Sequence, residues 1–131
     1  MAVDAPVIVR ESFSLFYGGS QLFSMELDGL RDKGALVMEK IVRDVQFLRR
    51  PSAPSLTGVH LKDTIVTEEI IKTMLESMNA SGMHLQKVAV VGLKASGRRM
   101  FSRLLKSMSP PARFVCVFYD DYEKAKEWLV K

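Results

Sequence analysis

A single cysteine excludes an internal disulfide, so nothing covalent staples this chain of 131 residues. Cys116 falls within Phe114-Val115-Cys116-Val117-Phe118, an apolar strand pattern, and reads as a small buried core residue. A catalytic thiol needs an electropositive, accessible site beside a histidine, and nothing near Cys116 supplies one. Long apolar runs are missing too. No stretch reaches the roughly 18 residues that a membrane span requires, and no signal-peptide pattern opens the chain, so a cytoplasmic protein is expected. Histidine is scarce: His60 and His84 have no cysteine or carboxylate at ligand spacing, and no metal site is expected from them. There is no G-x-S-x-G, no cysteine–histidine pair with an orienting acid and no dinucleotide glycine fingerprint. Internal repeats and low-complexity segments are likewise absent. No catalytic residue and no cofactor is assigned.

What is present is an ordinary globular composition, 47% hydrophobic and 26% charged, enough for one domain over 1–131 with a core of its own. The net charge of +4 is unevenly spread. Acids and bases balance over residues 1–50, and the excess comes from 87–113, where Lys87, Lys94, Arg98, Arg99, Arg103, Lys106 and Arg113 occur with no Asp or Glu among them. Such a run is most often a solvated helix face, and at its sharpest a contact surface for an anionic partner.

In chain order, residues 6–17 alternate, with Val7, Val9, Phe13, Leu15 and Tyr17 on one side. Gly18-Gly19 interrupts, and alternation resumes at Phe23, Met25 and Leu27, which makes a β-hairpin. Asp28 is the expected N-cap of a long amphipathic helix over about 29–49, weakened by Gly34. Pro51 and Pro54 form a short linker, and residues 56–61 read as a strand containing His60. Thr67, Glu68 and Glu69 suit a helix start: a hydroxyl cap, then two carboxylates at the positive end of the macrodipole. Ile70, Ile71, Met74, Leu75 and Met78 form that helix's apolar stripe, and residues 79–82 end it.

Val88 to Val91 is a short apolar run that ends at Gly92, the signature of a strand buried on both faces. A basic helix follows, burying Leu93, Met100, Phe101, Leu104, Leu105 and Met108, until Pro110-Pro111 stops it. A last strand over 114–118 precedes a helix that the D-x-x-E pattern of Asp120 and Glu123 should cap, with Ala125, Trp128 and Leu129 turned inward. The order β-β-α-β-α-β-α-β-α implies an α/β domain with a mixed, mostly parallel sheet and an antiparallel hairpin at its start.

Gly92-Leu93-Lys94-Ala95-Ser96-Gly97-Arg98-Arg99 has the glycine spacing of a phosphate-binding P-loop. Arg98 stands where the phosphate-reaching lysine belongs, and Arg99 replaces the hydroxyl that would hold Mg²⁺, so nucleotide hydrolysis by that route is not expected. Free backbone amides and Arg98 would still favour a phosphate or carboxylate. Eight methionines are many for this length. Core packing is their plain reading, and an apolar groove for an acyl chain or partner helix the sharper one.

Two stretches together resemble the bacterial STAS-like (SpoIIAA-like) domains, the sulfate transporter and anti-sigma-factor antagonist group. They are Asp63-Thr64-Ile65-Val66-Thr67-Glu68-Glu69-Ile70 with the strand and glycine at 87–92, and the closing run from Phe118 to Leu129, whose family pattern is D-x-x-E-A-K-x-W-L. The resemblance covers most of 6–131. It implies a four- or five-stranded sheet with helices packed mainly on one side, and a binding or regulatory role without catalysis, towards a protein partner or a small anionic or lipid ligand. In the antagonists a D-S-S-G motif opens the helix after the third strand and carries a phosphorylated serine. Here Thr67 is the only hydroxyl at that place, and Glu68 and Glu69 would repel an added phosphate, so such a phosphoswitch is not expected.

The expected contact surface is Thr67, Glu68 and Glu69 with Gly92, Lys94, Ser96, Gly97, Arg98 and Arg99, because parallel strands bring their C-terminal ends to one sheet edge. The alternatives are a nucleic-acid binder using 87–113 and a small lipid carrier. The first lacks a stacking platform, since the one aromatic there, Phe101, falls on the buried side. A two-fold homodimer is the common assembly of small domains of this kind.

Overall fold

The structure, a computed structural model, describes residues 6–80 and 82–131. The first five residues of the expected domain, and Ser81 within the expected helix stop at 79–82, lie outside the described residues. Among those described, the elements are β1 (Phe13–Tyr17), β2 (Ser20–Glu26), α1 (Gly34–Leu48), β3 (Leu56–His60), α2 (Glu68–Met78), β4 (Lys87–Val91), α3 (Ala95–Lys106), β5 (Val115–Tyr119) and α4 (Tyr122–Leu129). No described helix is long and apolar enough to cross a membrane.

One five-stranded sheet runs in the order β1-β2-β3-β4-β5, with β1 antiparallel to β2 and the remaining pairs parallel. The hairpin closes at Gly18 and Gly19, whose φ values of 58° and 83° belong to the left-handed region that a two-residue primed turn requires. Each crossover from β2 to β5 steps one strand in the same direction. Right-handed connections therefore put α1, α2 and α3 on a single face. α4 follows the last strand, is bound by no crossover, and folds back across β3, β4 and β5 on the other face.

Strand alternation feeds both layers. Phe23, Met25, Val59, Val88 and Val90 pack against Val37, Ile41, Met74, Leu75 and Phe101 in the larger core. Leu22, Ala89 and Val91 meet Ala125 and Leu129 in the smaller one. β4 is buried on both sides, as its unbroken apolar run requires. Met74 and Met78 are core residues, 0% and 2% exposed.

Three local expectations are corrected. β1 begins at Phe13, not near residue 6, and Ile8 and Val9 are exposed. α1 begins at Gly34, with Lys33 as N-cap in place of Asp28. The reason lies in the chain between them: Gly29 (φ 68°) and Arg31 (φ 50°) are left-handed, and this segment instead pairs with the one after β3. Gly29 N–H donates to Lys62 O at 2.7 Å, Arg31 N–H to Asp63 O at 2.9 Å, and Ile65 N–H to Arg31 O at 2.8 Å. α4 is capped by Asp121, whose carboxylate accepts from Glu123 N–H at 2.9 Å, and not by Asp120. Trp128 turns inward as expected, half-buried against the smaller core.

Candidate functional site

The parallel strands deliver Glu26, His60, Val91 and Tyr119 to one edge of the sheet. Beyond that edge, Thr64 ties the two paired connections together: its hydroxyl donates to Leu27 O at 2.6 Å and accepts from Leu30 N–H at 3.0 Å. Gly92 sits against this frame with φ 88°, and a β-carbon there would stand 2.8 Å from Lys62 N. Only glycine fits both the angle and the approach. The result is a cleft of about 790 Å³ between Leu61 with residues 63–66 and the turn at Gly92, Leu93, Lys94, Ser96 and Gly97.

α3 opens onto this cleft without a cap. Its N-cap is Lys94, which makes no side-chain capping bond, and no acid lies in its first turn. The leading amides of a helix have no intrahelical acceptor and carry the positive end of the macrodipole. A helix start built with cations and no acceptor of its own is therefore an electropositive end turned towards the cleft.

The expected contact residues divide. Gly92, Lys94, Ser96 and Gly97 line the cleft, while Thr67, Glu68 and Glu69 stand beside it at the start of α2. Thr67 accepts from Ile70 N–H at 3.2 Å as that helix's N-cap. Glu68 meets Arg103 of α3 at 3.3 Å, and Glu69 is exposed. Arg98 turns away from the cleft: its Nε donates to Leu93 O at 3.2 Å and its Nη2 to Asp120 Oδ1 at 2.5 Å. It fastens the Gly92–Gly97 turn to the end of β5.

The basic run is thus partly consumed within the fold. Besides Arg98 and Arg103, Lys87 donates to Trp128 O at 3.1 Å and Lys131 O at 3.2 Å, where α4 ends. Lys94 and Arg99 remain exposed, without an ion-pair partner among the described residues. Phe101 is 0% exposed, so the α3 face offers no aromatic for base stacking.

A second cluster escaped the sequence reading. Ser24 and Glu26 of β2, Asp28 just beyond it, His60 at the end of β3 and Tyr122 at the start of α4 meet on the α4 side of the sheet. Register explains it, because Glu26 and His60 are Cα partners in the parallel pair. His60 Nδ1 lies 3.5 Å from Glu26 Oε2 and 3.8 Å from Asp28 Oδ1. Ser24 donates to Glu26 Oε1 at 3.1 Å and is in turn hydrogen-bonded to the Tyr122 hydroxyl. Tyr122 crosses the His60 ring edge-on, with centroids 5.5 Å apart.

Burial pushes the Tyr122 phenol up to about 12, so it stays protonated and its proton is available to Ser24. The His60 imidazole holds the Glu26 carboxyl below its ordinary range, against the opposing effect of burial. The sequence did hold a signal: Ser24 and Glu26 at alternate positions of the buried half of β2, whose other residues there are Leu22, Phe23 and Met25. Which histidine they would meet depended on strand order, which local spacing does not carry.

Compared with known proteins, the chain matches no protein-family model, no curated protein and no solved structure.

Proposed function

We propose that this chain is a non-enzymatic binding and regulatory module of the STAS-like kind. It engages an anionic group, on a small ligand or on a protein partner, at the cleft between the β3–α2 connection and the start of α3. One observation carries the reading: α3 begins uncapped and free of acids, with Lys94 at its N-cap, on the wall of a 790 Å³ cleft. Amides left without acceptors at a helix start favour a phosphate or carboxylate. The ββαβαβαβα order and the placement of three helices on one face agree with the resemblance drawn from the sequence. Methionines 74 and 78 pack in the core, which supports ordinary packing over an acyl-chain groove.

Native mass spectrometry of the full chain, alone and with added inorganic phosphate or a nucleoside monophosphate, tests this. One anion per chain, lost in Ser96→Asp, is the expected result. A spectrum in which no anion adds specifically, or in which Ser96→Asp binds as well, overturns it.

A further inference from the structure

The geometry points to a divalent-cation site of the zinc class, formed by Glu26, Asp28 and His60 at the C-terminal ends of β2 and β3. It is distinct from the anion cleft and does not depend on it. One ligand atom from each of the three residues lies within 4.8 Å of the other two. Glu26 Oε2 and Asp28 Oδ1 are both buried, and neither has a hydrogen-bond partner among the described residues. Glu26 as a residue is only 8% exposed. A buried carboxylate oxygen without a donor is costly, and native folds seldom leave one so.

His60 offsets that cost only in part. At 3.5 and 3.8 Å, its Nδ1 is beyond the 2.7–3.2 Å range for direct hydrogen bonds. These are instead the separations of atoms sharing a cation: bonds of about 2.0–2.1 Å at tetrahedral angles put ligand atoms roughly 3.3 Å apart. One imidazole nitrogen with two carboxylate oxygens is a donor set that zinc accepts, with a fourth position left for water.

The surroundings are those of a held ligand set. Ser24 donates to Glu26 Oε1, which orients the carboxylate and leaves Oε2 facing His60. Tyr122 braces both Ser24 and the His60 ring. Asp28 turns its other oxygen, Oδ2, towards Arg10 at 3.8 Å. Outer partners of this type are what fix ligand orientation in metal sites. The His60 side chain is 20% exposed, so an ion can reach it from solvent.

The probe is Co²⁺, a visible stand-in for Zn²⁺, titrated into full-length protein stripped with chelator. One Co²⁺ per chain with visible ligand-field bands is expected, displaced by Zn²⁺. His60→Ala and Asp28→Asn should each weaken binding by at least about tenfold, as should Ser24→Ala through loss of Glu26 orientation. His84→Ala, an exposed histidine elsewhere, should change nothing. Because a cluster variant can fail to fold, the wild-type protein supplies a second readout. In proton NMR, Co²⁺ should displace the His60 ring signals and leave those of His84 in place. Absence of a saturable visible band, unmoved His60 signals, or full binding by a folded His60→Ala protein each overturns the assignment.

Discussion

The Tyr122 side chain lies across Gly58: a β-carbon on Gly58 would stand 2.8 Å from the Tyr122 hydroxyl oxygen and 3.2 Å from Cζ. Glycine in the middle of a parallel strand is otherwise a weakness, and here it is the condition for α4 to start where it does. Gly58→Ala should destabilise the fold by about 1–3 kcal/mol, the usual cost of overpacking a filled core. Tyr122→Phe removes the closest atom and should recover part of that loss. Urea denaturation of the two single variants and the double would read the coupling, and strict additivity would refute the contact.

Asp44 gives the fold a pH dependence of definite sign. Burial, partly offset by the Ser12 hydroxyl at 2.6 Å and by Lys40, holds its carboxyl above the ordinary value. The folded state therefore keeps this proton at a pH where the unfolded chain has released it. Stability falls as pH rises from the ordinary aspartate value through the raised one, and at neutral pH the buried charge is a net cost. Asp44→Asn keeps an acceptor for Ser12 and removes the charge. Its urea midpoint should exceed the wild type's at pH 7, with the gap closing near pH 4. A lower midpoint at pH 7 would mean that attraction to Lys40 outweighs burial.

Cys116 is half-buried on β5, not fully buried as its strand pattern suggests, and should still react slowly in the native protein. Burial pushes its thiol up to about 12. Since the thiolate is the reactive form and an unfolded cysteine titrates near 8.5, labelling at pH 8 should be at least about a hundredfold slower in the folded state. Reaction with a thiol reagent, followed with and without denaturant, measures this. Prompt native labelling would place Cys116 at an accessible site.

Much of the architecture was legible in the chain because it rests on local pattern. The Gly18-Gly19 turn, the apolar run from Val88 to Val91 and the Thr67 cap each dictate their own conformation, and together they give the element order. What was not legible depended on neighbours brought from a distance. Asp28 looks like a helix cap, but the backbone around it is claimed by Lys62 and Asp63 across the sheet edge. Asp120 heads the D-x-x-E pattern, yet it pairs with Arg98 and the neighbouring Asp121 takes the cap. The basic run looks like one surface until Lys87, Arg98 and Arg103 find partners on α4, the end of β5 and α2. The Glu26–His60 meeting is a matter of strand order alone.

Lys94 offers the most direct test of the anion cleft, because stability and binding should move in opposite directions there. An uncapped helix start gains about 0.5–2 kcal/mol from a good N-cap residue, so Lys94→Asp should stabilise the protein. The same carboxylate would occupy the α3 amides and carry the wrong charge for an anion. The measurement is a phosphate titration of wild type and Lys94→Asp followed by backbone amide NMR. The expected outcome is saturable shifts centred on Ala95, Ser96 and Gly97 in the wild type, abolished in a variant that melts higher. Shifts centred elsewhere, or equal phosphate binding by Lys94→Asp, would contradict the account.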